Sequence, residues 1–178
     1  MTTSSFTIQL VGSEDACQPW LTAVQARRGT VLTLRAAGLA DLSSLEQSLL
    51  RVFQIPYPSV GFDSIIDFGS SLDEWMESPG GFLFVVRGID LCPDEVQRTI
   101  AEILPYMIDR WRSIGHHYDA VIAATASRPV LLEGLRTSND KLRQAGDEPY
   151  NATFIGPVPV YVDGVLDEVA SAGAPPSQ

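Results

Sequence analysis

Basic residues are scarce in this 178-residue chain, which sets 12 Lys and Arg against 22 Asp and Glu for a net charge of −10. Such a surface repels nucleic acid and anionic membrane, so neither is an expected partner. Cysteine is nearly missing as well. Cys17 and Cys92 stand far apart, in no metal-binding or redox spacing, and read as reduced core residues. No apolar run approaches the roughly 18–20 residues that span a bilayer. The start, Met1-Thr2-Thr3-Ser4-Ser5, has neither a basic cluster nor an apolar stretch that would mark it for secretion. The expected compartment is the cytoplasm, where the sequon Asn151-Ala152-Thr153 carries no glycan. Catalytic signatures are missing too: there is no Walker loop, GxGxxG, GxSxG or HExxH. His116 and His117 are the only histidines. As chain neighbours they point apart, and a site near a helix C-terminus explains them without chemistry. No metal, cofactor or catalytic residue is expected.

What is present suffices for a packed core, with 45% apolar residues and a mean hydropathy of +0.08. The chain reads as one domain over residues 1–169 and a disordered tail over 170–178, rich in Ala, Pro and Ser. Phe6 to Val11 reads as a strand, followed by a short helix from about Glu14 to Arg27. Thr30 to Arg35 is a β-branched strand. Asp41 to Phe53 is a helix with Leu42, Leu45, Leu49, Val52 and Phe53 on one stripe, and Ser43 and Glu46 stand at capping-box spacing. Phe62 to Met76 has helical periodicity, weakened at Gly69 by roughly 1 kcal/mol. The continuous apolar run Phe82 to Val86 predicts a central strand covered on both faces. A long helix follows from Pro93 to Ile114, with Pro105 expected to kink it. Asp119 to Ala124 is the next strand, Pro129 to Gln144 a further helix, and Ala152 to Val162 a pair of short edge strands. Strands alternating with helices predict an α/β fold, a small, mostly parallel sheet flanked by helices.

The acids are concentrated. Asp63, Asp67, Asp73, Glu74, Glu77, Asp90, Asp94 and Glu95 fall in one stretch, opposed only by Arg87. A patch of one sign attracts a partner of the other and speeds association. Asp63, Asp67, Ser70 and Glu74 recur at steps of three or four and are expected on one outer helix face. A solvated face is the ordinary meaning of such a pair of aspartates. Acid–base work would instead require burial of one carboxylate. Tyr57 and Trp75 flank the pair, and aromatics beside charges are what binding hot spots contain. The three tryptophans, Trp20, Trp75 and Trp111, each read as core.

The order of parts resembles the barstar family of ribonuclease inhibitors. Thr30 to Arg35, the helix Asp41 to Phe53 and Pro56-Tyr57-Pro58 are similar to that family's first strand, first helix and proline-containing turn. Gly61-Phe62-Asp63-Ser64-Ile65-Ile66-Asp67 is similar to its signature, in which a second aspartate stands four after the first. The usual Gly-x-Asn-x-Asp is altered, because Gly61 is two before Asp63 and the asparagine is absent. The resemblance covers about residues 30–125 and leaves the N-terminal 29 residues and everything after about 126 as extensions. It implies an intracellular protein with a three-stranded parallel sheet, which inhibits a basic ribonuclease or nuclease toxin by placing an acidic helix in its phosphate-binding cleft. By position Asp67 would be the principal anchor and Asp63 its support. Tyr57 and Glu74 are added from spacing and composition.

Three functions follow as expectations. An inhibitor or immunity protein needs Asp63 and Asp67 exposed on one helix. A barstar-like adaptor without nuclease inhibition would keep the fold and show a covered or broken acidic face. A small enzyme would gather Asp63, Asp67 or the His116/His117 pair in a concave pocket. The oligomeric state is not legible.

Overall fold

The computed structural model describes residues 8–58, 61–113, 117–146, 152–154 and 160–162. Its centre is the apolar run already noted. Phe82–Arg87 (named β3) is buried along Phe82 to Val86 because a parallel neighbour lies on each side and side chains cover both faces. Thr30–Arg35 (β2) pairs with it on one edge and Tyr118–Ala123 (β4) on the other, and Ile8–Val11 (β1) adds a fourth parallel strand outside β4. The sheet order is β1-β4-β3-β2. The three strands expected from the resemblance are therefore adjacent and parallel, and the N-terminal extension enlarges the sheet.

Among the described residues five α-helices join or follow the strands. Gln18–Ala26 (α1) lies between β1 and β2. Leu42–Val52 (α2) and Phe62–Gly69 (α3) lie between β2 and β3, Asp94–Ser113 (α4) between β3 and β4, and Arg128–Ala145 (α5) after β4. The chain steps across the sheet one way from β1 to β2 and the other way from β2 to β4. Right-handed crossovers then put α1 on one face and α2–α4 on the other, where α5 packs against α4. The core divides accordingly. Leu32, Leu34, Phe82, Phe84, Val86 and Ile122 face the larger cluster with Leu45, Leu49, Phe53 and Trp111, while Leu83, Val85 and Val121 face Cys17 and Val24. Both cysteines are free and buried, as expected, and burial pushes the Cys92 thiol up to about 11. Ala152–Phe154 (β5) and Val160–Val162 (β6) are the expected pair of short strands, and they pair antiparallel.

Several local expectations are corrected. The cap of α2 is Asp41, whose carboxylate accepts from Ser44 N at 2.8 Å while Ser44 Oγ accepts from Asp41 N at 3.1 Å, so Ser43 and Glu46 form no box. An aspartate two residues earlier reaches the free N–H groups first. The first helix is a 3-10 turn, Asp15–Cys17, leading into α1. The predicted helix over Phe62 to Met76 stops at Gly69, and a separate 3-10 turn, Leu72–Glu74, follows. Pro105 lies inside α4, as read from the sequence, and the helix continues past it to Ser113. His116, Asn151 and the tail 170–178 lie outside the described residues.

Candidate functional site

The site is built on α3, whose position three contacts fix. At its start, Gly61 adopts a φ of +123°, and Glu46 on α2 accepts a hydrogen bond from Gly61 N at 3.2 Å. On its inner face Ile65 is fully buried. At its end Trp111 Nε1 donates to Gly69 O at 2.9 Å, and a Cβ on Gly69 would stand 2.5 Å from Met107 Sδ. The glycine that weakens the helix on propensity is thus a place where α4 packs tightly against α3.

Asp63 and Asp67 sit one turn apart on the outer face of α3, and both are exposed. Among the described residues no hydrogen bond or ion pair engages either. Asp63 lies in the first turn, where the helix dipole favours an acid. Asp67 lies in the last, where the dipole disfavours one, and the like charge of Asp63 is about 6 Å away by helix geometry. Stability gives no reason for an aspartate at 67.

At 100° per residue the two carboxylates form a ridge with a different neighbour on each side. Toward Phe62 and Ile66 an open groove of about 510 Å³ runs between α3 and α4. Its floor is apolar, from Leu42, Phe62, Ile66, Ile103 and Tyr106, and its rim carries Asp63, Asp67 and Glu102. Lys141 on α5 reaches across to Glu102 at 2.9 Å, and that hydrogen bond raises the lysine pKa. Toward Phe68 lies an aromatic ladder. Tyr57, 58% exposed, stacks on Phe68 at 5.5 Å, and Phe68 meets Trp75 edge-on at 6.0 Å. Trp75 is fixed by its Nε1 donating to Phe53 O at 2.9 Å.

Asp63, Asp67 and Tyr57 are therefore brought to one surface. Glu74 is exposed but belongs to the separate turn, so it does not share the α3 face; Ser70, expected on that face, is buried with its hydroxyl donating to Ile66 O at 2.6 Å. The acid-rich stretch is also divided. Glu77 precedes β3 and Asp90, Asp94 and Glu95 follow it, so a strand of about 20 Å separates the two groups. Asp90 is structural. It accepts from Thr125 N, Thr125 Oγ1 and Ser127 N at 2.9, 2.6 and 2.7 Å ahead of α5. Partial burial works to raise its pKa, but the hydrogen bonds from Ser127 and Thr125 outweigh it and hold the carboxyl at about 2. Glu102 escaped the sequence reading because it lies 39 residues after Asp63 and 35 after Asp67; its place at helical spacing beside Ile103 and Tyr106 was the available signal.

The groove lining contains no histidine, cysteine or serine, and His117 stands elsewhere, its backbone carbonyl accepting from Phe82 N at 2.9 Å. Among the described residues no group of three His, Cys, Asp or Glu is placed to hold a metal ion, and no helix is long and apolar enough to cross a membrane. The arrangement suits a cationic side chain. Its charge would meet the carboxylate ridge and its stem the apolar floor.

Fold and site together define an α/β protein with a four-stranded parallel sheet and an exposed carboxylate ridge beside an apolar groove. No family model, curated protein or solved structure matches the chain.

Proposed function

We propose that this protein is a barstar-like inhibitor or immunity protein, which binds a basic ribonuclease or nuclease toxin through α3 and blocks its phosphate-binding cleft. The observation that carries this reading is the pair Asp63 and Asp67, exposed, without a hydrogen bond or ion pair among the described residues and, at position 67, placed against the helix's own electrostatics. A carboxylate ridge offers bidentate acceptors to the arginines that hold phosphate in such a cleft. Tyr57 on its aromatic ladder and Glu102 across the groove extend the surface on either side. The side-by-side parallel order of β2, β3 and β4 also agrees with what the resemblance implies.

A barstar-like adaptor without nuclease inhibition is the second reading. It calls for a covered or broken acidic face, and the exposure of both aspartates favours the inhibitor. A cell extract from the source organism, passed over wild-type and Asp63→Ala/Asp67→Ala bait side by side, separates the two. The inhibitor reading expects a basic nuclease captured by the wild type alone, identified by mass spectrometry and by ribonuclease activity released on denaturing elution. Equal capture of a non-nuclease by both baits would transfer the function to another surface.

A further inference from the structure

A second polar site lies on the opposite side of the sheet, and its charge is positive. Period-two alternation sends Val31 and Arg35 of β2, and Leu83, Val85 and Arg87 of β3, toward the α1 face. Arg35 and Arg87 are direct register partners on strands about 4.8 Å apart, an arrangement that like charges disfavour. Among the described residues one acid answers them. Glu14, just before α1, lies 3.1 Å from Arg87 Nη1. Arg35 is exposed and has no hydrogen bond or ion pair among the described residues. Arg87 Nε is buried and has no hydrogen-bond acceptor there either.

Between these groups opens a cavity of about 280 Å³, closed on its far side by Ala37 and Gly88. Gly88 turns at a φ of +70°, and a Cβ there would stand 2.8 Å from Ala37 Cβ and 3.1 Å from Ala37 N, so the two residues pack closely at this wall. The cavity sits beyond the carboxyl ends of β2 and β3, the end at which parallel α/β sheets take their ligands. With Glu14 in place the site holds one net positive charge; with Glu14 turned out it holds two. Two guanidinium groups match a phosphate group, which carries a charge of about −1.5 to −2 at neutral pH and offers three strong acceptor oxygens.

We propose that this cavity binds a small phosphate-bearing anion, with Arg35 and Arg87 holding its oxygens and Glu14 as the resident carboxylate that the ligand displaces. The proposal stands apart from α3 and survives or fails independently of the inhibitor reading.

The test is an NMR titration with inorganic phosphate at constant ionic strength, following the Arg87 Nε–H resonance in the wild type, Arg35→Gln and Glu14→Gln. Both substitutions are at exposed positions, so the fold is retained. Phosphate should shift the Nε–H resonance saturably, and acetate should do so at least 10-fold more weakly. Arg35→Gln should weaken phosphate about 10-fold or more, whereas Glu14→Gln should tighten it several-fold by removing the competitor. An immobile Nε–H, equal affinity for acetate, unchanged affinity in Arg35→Gln or weaker affinity in Glu14→Gln would each overturn the proposal.

Discussion

Gly69 and Asp67 lie two residues apart and have opposite reasons for being there. Gly69 is held by packing. Its missing Cβ makes room for Met107 Sδ and Phe53, and its carbonyl receives the Trp111 indole N–H. Gly69→Ala gains about 1 kcal/mol of helix propensity but overpacks a filled core at a cost of about 1–3 kcal/mol. The variant is expected to melt below the wild type, as read by thermal denaturation. A higher melting temperature would mean that Met107 yields freely. Asp67 is the reverse case, a residue that packing and helix electrostatics do not ask for. Its removal should leave stability unchanged or raise it by up to about 0.5 kcal/mol, so loss of binding in that variant reports the surface and not the fold.

Among the elements, Asp90 ties the turn after β3 to the start of α5. Its folded pKa is depressed, so the stabilisation it provides is complete above its ordinary value of 3.8 and is lost as pH falls through about 2. Asp90→Asn is expected to lower urea stability by about 1–2 kcal/mol at neutral pH, and the gap between variant and wild type should close as the pH falls from 4 to 2. A gap that is constant with pH would show that the carboxylate's charge plays no part. The regular elements were legible because their patterns are local. The unbroken apolar run of β3 and the Leu45–Leu49–Phe53 stripe of α2 announce themselves within a turn or two. What could not be read are the features set by distant partners. Gly69 looked like a weak point inside a longer helix because Met107 and Trp111, which explain it, come 38 and 42 residues later. The helix therefore stops earlier than its periodicity suggests, and Glu74 leaves its face. Glu46 had capping spacing but turns to Gly61, a contact between elements. At the site, Asp63 and Asp67 were legible as a pair one turn apart. The groove was not, because its far wall comes from α4 and α5.

At the scale of the whole molecule, charge and sheet architecture act together. A chain of net charge −10 has a long-range field that draws a basic partner in, whatever the acids' positions. Asp90 serves the fold and the acids around β3 are split between its two ends, so under the proposed inhibitor reading short-range recognition falls to the ridge on α3 and the rim at Glu102. Association with a basic nuclease should therefore be strongly salt-dependent. Raising salt from about 0.05 to 0.5 M is expected to slow association at least 10-fold and to change dissociation only about 2-fold, both read by stopped-flow fluorescence. An association rate indifferent to salt would remove steering from the account.

The most direct test of the central claim is the equilibrium affinity of the captured nuclease for wild type and for Asp67→Ala, measured by titrating inhibition of ribonuclease activity. The account expects stoichiometric inhibition by the wild type. It expects a loss of about 2 kcal/mol or more in the variant, roughly 30-fold in affinity, with circular dichroism and melting temperature preserved. Equal inhibition by the two proteins would contradict it, because the acidic helix would then not be the surface that binds.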